Sequence, residues 1–324
     1  MAYVIRIHAT GGPEVMRREK AEVAAPGPGQ VHLRHTAVGL NFIDVYHRSG
    51  LYPLELPAVL GMEGAGEVLA VGAGVTEVKP GDRVAYAGVP PGAYATERLI
   101  PAHRLVPLAD QISDQTAAAM MLQGMTAQYL LRRTYRVKPG DWILFHAAAG
   151  GVGLIACQWA KALGATVIGT VGSEEKAELA KAHGCAHTIL YHREDFVQRV
   201  KDLTDGAGVA AVYDSVGRET FLKSLDCLRP MGMLVSFGQS SGPVTSFDPG
   251  LLAQKGSLFL TRPSLMTYTA KREDLLATAG ELFTEVAAGT VKVEINQQYS
   301  LADVAQAHRD LEARKTTGST ILIP

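Results

Sequence analysis

The chain has 324 residues, 47% of them hydrophobic and 19% charged, with a formal net charge of −1. This length suits two domains rather than one small core. The near-neutral balance lacks the basic excess that a grip on nucleic acid needs. Cys157, Cys185 and Cys227 lie far apart with no CxxC or CxxxH spacing, which argues for a reducing compartment and against a disulfide framework. No apolar run nears the roughly 20 residues of a membrane span, and the N-terminal MAYVIRIHATGG has no long apolar stretch. A soluble, cytoplasmic protein with no membrane partner is expected.

Up to about Ala119, short β-branched runs are cut by Gly and Pro: VIRIH, VHLRHTAVGL, GAGEVLAVG, GDRVAYA and TERLIP. This texture predicts many short strands joined by turns. From about Pro139 the pattern becomes regular. Strands are predicted at Trp142–His146, Thr166–Thr170, His187–Leu190, Ala210–Ser215, Met233–Phe237 and Ser257–Leu260, with helical stretches between most of them. Such alternation builds a doubly wound parallel sheet, six-stranded here. After about Leu265 come helices at Arg272–Ala288 and Leu301–Ala313, a short VKVEI strand and a closing ILIP strand. The tail is expected to rejoin the first domain. The division is therefore 1–122 with 267–324, and 123–266.

The first crossover carries a motif. The apolar strand Trp142–His146 runs into Ala147-Ala148-Ala149-Gly150-Gly151-Val152-Gly153, and a helix is predicted from Leu154 to Leu163. Val152, Ile155, Ala156, Trp159 and Leu163 share one helical face, and Gly164 stops the helix. Against the GxGxxG fingerprint, Ala148 takes the first position, followed by Gly150 and Gly153. Gly150 allows close approach of a pyrophosphate, Gly153 close packing of helix on strand, and the helix N-terminus meets the phosphates. Ala149, Gly151 and Val152 belong to the same cradle. An ordinary tight turn is the plain alternative, and the strand before and helix after favour a dinucleotide.

The second strand selects the cofactor. An NAD site usually places Asp or Glu at its tip, whereas Thr166–Thr170 ends in Val171-Gly172-Ser173. Without a carboxylate there, a 2′-phosphate is tolerated, so NADPH is expected. Gly172 and Ser173 would approach it, with Lys176 and Tyr191 in reach of the phosphate. A solvated lysine and a strand-end aromatic are the plain readings of the last two. Glu174 and Glu175 suit a helix N-terminus but bring negative charge near the proposed phosphate.

At Gly39–Pro53 (GLNFIDVYHRSGLYP) the chain resembles the zinc-free quinone oxidoreductases, the zeta-crystallin-like branch of the medium-chain dehydrogenase/reductase superfamily. LGMEGAGEV (60–68), KPGDRVAY (79–86), HAAAGGVG (146–153), VYDSVG (212–217), SFGQSSG (236–242) and TRPSL (261–265) extend the resemblance from end to end. It implies an α/β fold: a discontinuous GroES-like, mostly-β catalytic domain (1–122 and 267–324) and a Rossmann NADPH-binding domain (123–266). Zinc relatives carry Cys where this chain has Asn41, His where it has Met62, and a four-Cys lobe that is missing after Asp82-Arg83-Val84. Asn and Met are poor zinc ligands, so no metal is expected.

The resemblance implies NADPH-dependent reduction of a small quinone, by hydride or stepwise electron transfer. Negative charge builds on a quinone oxygen, and Asn41, Tyr46, Tyr52 and Arg262 are the candidate donors to it. Asn41 and Thr126 are also expected at the cofactor, with Ser215 after the fourth strand, Phe237, Gly238, Ser240 and Ser241 after the fifth, and Arg314 from the tail. The plain readings are a helix cap for Asn41, half-buried aromatics for Tyr46 and Tyr52, and a solvated helix-end arginine for Arg314. His146 reads as a structural strand-end residue. Gly256–Leu260 is the expected edge strand, pairing two copies into a homodimer. Two alternatives stay open: a reductase of an enone, alkenal or enoyl-thioester double bond, and a non-catalytic NADPH-binding protein of crystallin-like or RNA-binding kind.

Overall fold

The structure is a computed structural model that describes residues 2–324. The chain divides into two compact units. One runs up to Met125 and adds Tyr268–Ala287 and Val293–Pro324; the other comprises Thr126–Thr267 and Ala288–Lys292. Among the described residues no helix is long and apolar enough to cross a membrane.

The first unit opens with β1 (Ala2–Ile7), β2 (Arg17–Ala21) and β3 (Gln30–Leu40), then α1 (Phe42–Ser49). It continues with β4 (Ala58–Val59), β5 (Glu63–Val71), β6 (Arg83–Ala87), β7 (Glu97–Pro101), β8 (Val106–Pro107) and α2 (Asp114–Tyr129). Val31 and Leu33 of β3 point into the core while His32 and Arg34 point out, the alternation of a half-buried strand. Ala37–Leu40 is buried on both faces. There β3 is covered on both sides, and its residues read as a continuous apolar run rather than an alternating one.

The second unit contains β9 (Trp142–Phe145), α3 (Gly151–Ala162), β10 (Thr166–Val171), α4 (Glu174–Ala182), β11 (His187–Leu190) and α5 (Phe196–Leu203). It continues with β12 (Val209–Asp214), α6 (Phe221–Leu225), β13 (Leu228–Ser236), α7 (Gly250–Gln254), β14 (Phe259–Thr261) and α8 (Leu265–Tyr268). The strands form the expected parallel six-stranded sheet in the order β11-β10-β9-β12-β13-β14. The order reverses between β9 and β12, the switch point outside which α/β sheets bind ligands. Its core gathers Leu144, Ile168, Ile189, Val212 and Leu234 from five strands.

The tail supplies α9 (Arg272–Ala287), β15 (Ile295–Ser300), α10 (Val304–Glu312) and β16 (Ser319–Ile323). β16 pairs antiparallel with β3 and parallel with β15, completing a seven-stranded mixed sheet in the first unit.

Three local expectations are corrected. The strand expected at VKVEI begins only at Ile295, because Ile295 and then Gln297–Ser300 are the residues that pair with β16. The helix after the Gly-rich turn starts at Gly151 rather than Leu154, and the edge strand starts at Phe259 rather than Gly256, whose φ is 111°. Helix α2 had no counterpart in the pattern. Ala117, Ala118, Ala119, Met120 and Met121 are all buried, and so are the polar Gln123, Thr126 and Gln128, so this helix is covered all round and shows no amphipathic stripe.

Gly66 stands in β5 where its pairing with β3 shifts register, and a Cβ there would overlap the Arg34 carbonyl. Gly280 lies in the exposed middle of α9 with nothing near its would-be Cβ. Gly66→Ala is expected to destabilise the protein by about 1–3 kcal/mol, and Gly280→Ala to stabilise it by up to about 1 kcal/mol. Denaturant unfolding of both variants checks the opposite signs.

Candidate functional site: strand tips and a buried carboxamide

In the second unit, the tip of β9 leads through Ala147, whose φ is 54°, to Gly150, the N-cap of α3. Ala148 is fully buried and Ala149 nearly so, while Gly150, Gly151 and Val152 are partly open. A Cβ on Gly153 would strike the carbonyls of Ala147 and Ala148, so only glycine lets α3 start against the strand. The turn leaves the first N–H groups of α3 for an anion.

At the tip of β10, the Ser173 hydroxyl accepts the Lys176 N–H at 3.3 Å and caps α4. The Tyr191 hydroxyl would lie 2.8 Å from a Cβ on Gly172. Gly172 thus lies beside the Tyr191 hydroxyl and Ser173 beside the Lys176 backbone N–H, and β10 ends on Val171 without a carboxylate. Glu174 is turned into an ion pair with Arg193 at 3.2 Å.

The β12 and β13 tips interlock. A Cβ on Gly238 would meet the Ser215 carbonyl. Ser240 N–H donates to Ser215 O at 3.1 Å and Ser241 N–H to Val216 O at 2.8 Å. Phe237 packs on Phe145 with ring centroids 5.7 Å apart. Arg262, just past β14, donates from Nη1 to the Ser236 carbonyl at 2.8 Å.

Beneath these tips runs a buried hydrogen-bond network that the sequence reading did not single out. The Asp214 carboxylate accepts the N–H groups of Val216 (2.8 Å) and Gly217 (3.0 Å) and the hydroxyls of Thr220 (2.7 Å) and Ser224 (3.1 Å). Because Ser224 gives its hydrogen to Asp214, its oxygen accepts from His146 Nε2 at 3.0 Å. His146 Nδ1 then accepts from the Thr170 hydroxyl at 2.9 Å. The tautomer is thus set by its neighbours, and burial holds the ring neutral by lowering its pKa. His146 is the structural strand-end histidine expected, and it ties together the tips of β9, β10 and β12.

In the first unit, α1 positions Asn41, Tyr46 and Tyr52. Asn41 is the N-cap of α1, and its backbone N–H donates to Asp44 Oδ2 at 2.9 Å. Tyr46 lies one turn on, and its ring meets Tyr52 edge-on at 5.1 Å. The left-handed Gly50, φ 83°, folds the chain back so that Tyr52 N–H reaches the Tyr46 carbonyl. The Asn41 side chain is 5% exposed on a whole-residue basis and is held at both ends of its amide. Its Nδ2 donates to Glu63 Oε2 at 2.6 Å, and its Oδ1 accepts from Gln123 Nε2 at 3.1 Å. Thr126, buried on α2, and Arg314, at φ 58° in the turn before β16, stand apart from these clusters in chain position.

Glu63 and Asp44, both wholly buried, were missed as site residues. The one available signal was an acid inside the Gly/Ala-rich run LGMEGAGEV. Burial raises Glu63 to about 8, against the lowering effect of the Asn41 hydrogen bond and the Leu122 N–H. Asp44 is raised to about 7, also by burial. A directed chain ends on Asp44: Arg48 donates to His308 Nδ1, His308 Nε2 to the Tyr94 hydroxyl, and Tyr94 to Asp44 Oδ2, each at 3.0 Å. Burial and the Arg48 charge hold His308 down at about 3, so it stays neutral in this chain.

This fold, with its glycine-lined strand tips, defines a dinucleotide-dependent dehydrogenase or reductase. Residues 27–110 match the alcohol dehydrogenase GroES-like domain and residues 151–279 the zinc-binding dehydrogenase family. The chain is 56% identical to a quinone oxidoreductase of Pseudomonas aeruginosa, over the full length of both. The structure of Escherichia coli quinone oxidoreductase complexed with NADPH superposes with a TM-score of 0.98 at 51% identity, covering 99% of this chain and 100% of that one. A 2-haloacrylate reductase of Burkholderia is 48% identical over 98% of each chain. The chain belongs to the quinone oxidoreductases of the medium-chain dehydrogenase/reductase superfamily.

The family description that mentions zinc does not fit the donors present. Where zinc relatives carry Cys and His, this chain has an amide already hydrogen-bonded to Glu63 and the buried thioether of Met62. Among the described residues no group of three or more His, Cys, Asp or Glu comes together to hold a metal ion.

Two outcomes follow. Asp214→Ala frees the 215–217 loop and is expected to weaken NADPH binding about tenfold, the worth of roughly one lost charged hydrogen bond; cofactor fluorescence titration measures it. Glu63 and Asp44 hold their protons more tightly folded than unfolded, where their values are near 4.5 and 3.8. The stability they contribute is complete below those values and is lost as pH rises through about 7 and about 8, since the folded state then binds the extra protons. Melting temperature is expected to fall from about pH 4 to about pH 8, and less so in Glu63→Gln.

Proposed function

We propose that the protein is an NADPH-dependent reductase of small quinones that works without a metal. The observation that carries this reading is full-length similarity to quinone oxidoreductases, one of them NADPH-bound, together with a β10 tip that bears no carboxylate. A carboxylate there would repel the 2′-phosphate that distinguishes NADPH from NADH. In its place stand the Ser173 hydroxyl, the Tyr191 hydroxyl beside Gly172, and Lys176.

The second unit acts as the NADPH-binding Rossmann domain and the first as the GroES-like catalytic domain. Ala149, Gly150, Gly151 and Val152 hold the pyrophosphate against the start of α3. Ser215, Phe237, Gly238, Ser240 and Ser241 line the cofactor at the β12 and β13 tips, with Thr126, Asn41 and Arg314 as further contacts. When bound, NADPH supplies the hydride. Asn41, Tyr46, Tyr52 and Arg262 offer hydrogen-bond donors to the quinone oxygen on which negative charge builds. A hydroquinone oxygen is weakly basic, so water suffices to protonate it and no side chain is assigned as acid.

β14 lies at the end of its sheet with Phe259 57% exposed. An open apolar edge invites pairing with another strand, which supports a homodimer built through β14. Three free, buried cysteines support a cytoplasmic setting.

The test is cofactor consumption with 1,4-benzoquinone or a naphthoquinone, in the presence of EDTA. Rapid NADPH oxidation is expected, slower with NADH and unchanged by EDTA. Loss of activity with EDTA would refute the metal-free reading. Faster turnover of a 2-haloacrylate than of any quinone would move the substrate to activated double bonds.

A further inference from the structure

The side chains around Asn41 continue into a ladder that ends with a choice. Glu63 Oε2 accepts from Asn41 Nδ2, Asn41 Oδ1 accepts from Gln123 Nε2 at 3.1 Å, and Gln123 Oε1 accepts from the Ser319 hydroxyl at 2.7 Å. Ser319 Oγ also lies 2.8 Å from the Ala119 carbonyl oxygen. A serine has one hydrogen to give, so it serves one acceptor or the other. All four side chains are buried, so water cannot complete the missing partners and the ladder must satisfy itself.

An ionised Glu63 only accepts, which forces one direction: Ser319 to Gln123, Gln123 to Asn41, Asn41 to Glu63. A protonated Glu63 permits the reverse. Its O–H donates to Asn41 Oδ1, Asn41 Nδ2 to Gln123 Oε1, Gln123 Nε2 to Ser319 Oγ, and the serine hydrogen to Ala119. One proton enters, both carboxamides turn over, one hydroxyl rotates, and every group stays paired. The single N–H and the lone pair of Asn41 that lie outside the ladder exchange places.

We propose that Glu63 is a positioning residue whose proton sets which way the Asn41 carboxamide faces, through this reversible ladder. The proposal rests on the reading of Asn41 as a donor to the substrate oxygen. The carboxyl value of about 8 puts the exchange at mildly alkaline pH. The charged and titratable groups around Glu63 are Asp44 on α1, Tyr86 on β6 and Tyr94 beyond it. Next to Tyr86 stand Arg98 of β7, hydrogen-bonded to it, and His35 of β3, held neutral at about 3 by burial and the Arg98 charge. Gln123 of α2 and Ser319 of β16 face the ladder as uncharged groups.

Glu63→Gln fixes the direction. The Leu122 N–H, 2.7 Å from Oε1, claims the amide oxygen of the new residue, leaving its NH2 to donate to Asn41. The variant copies the protonated enzyme at every pH. Wild-type kcat/KM for a quinone is expected to rise about tenfold with pH across one step near 8, the effect of a donor regaining its place. Glu63→Gln should stay at the low plateau without a step. Ser319→Ala gives an independent reading should the first variant fail to fold. It orphans the Gln123 N–H in the reversed ladder but only an oxygen in the forward one, the less costly loss, so the step should move about one pH unit lower. Infrared difference spectra of wild type minus Glu63→Gln, taken without substrate, should show a protonated-carboxyl band that vanishes over the same step. No titrating band, a step surviving in Glu63→Gln, or an unmoved step in Ser319→Ala would overturn the proposal. A titrating band in a protein that reduces no quinone would overturn the functional reading and support the ladder.

Discussion

A carboxylate sealed from water must take its hydrogen bonds from the protein, and Glu63 is the group in the first unit on which the most depends. Its oxygens claim a backbone N–H of α2 and the side-chain NH2 of Asn41. Gly39 of β3 must lack a side chain because a Cβ there would meet the carboxylate and the Ala118 carbonyl. Strand β3, strand β5, the start of α1 and the middle of α2 are thus brought to one point by a single acid. An apolar residue at position 63 would fill the space, but it would leave the Asn41 amide without an acceptor and its orientation undetermined.

The second unit repeats this logic with a different acid. Asp214 ends β12 and collects four donors, two of them backbone N–H groups of the loop that follows. The chain from Asp214 through Ser224 and His146 to Thr170 links the tips of three neighbouring strands. Parallel strands end in loops that have no ladder of their own to hold them. A buried acceptor placed just under the tips supplies that order, and the glycines at the tips then permit close approach of a ligand without giving up definition.

The legible part of the sequence is what short-range periodicity encodes. Six apolar strands alternating with helices, and Gly150 and Gly153 between the first pair, were enough to predict the parallel sheet and its Gly-rich turn, with strand ends displaced by one to a few residues. The tail's return was visible in ILIP, which pairs with β3 as β16. What escaped depends on distance or on missing contrast. α2 has no polar face, so nothing distinguishes its period. VKVEI is apolar enough to suggest a strand, yet the residues after it make the pairs, because hydrogen bonding to β16 and not hydropathy decides the register. Glu63 meets Asn41 22 positions away, and Asn41 meets Gln123 82 positions away. No local pattern marks an acid as destined for burial; its Gly/Ala neighbours show only that something must pack closely there.

On the proposed reading, the same cluster bears on how quinone reduction would proceed without a Lewis acid. A metal stabilises a developing oxyanion by charge, whatever its exact orientation, whereas an amide does so by one directed N–H whose worth depends on alignment. Replacing the first by the second is tolerable when the acceptor is already electrophilic, as a quinone is, and when the amide cannot wander. Asn41 satisfies the second condition through three constraints of different kinds: a helix cap that fixes its backbone, a carboxylate that takes one N–H, and a glutamine that donates to its oxygen. The rigidity that would make the amide an adequate substitute would also make it sensitive to its neighbours, because a directed donor fails by rotating where a cation would not. On the proposed reading of Asn41 as a donor, an acid sealed beside it would both orient the amide and expose it to control by one proton.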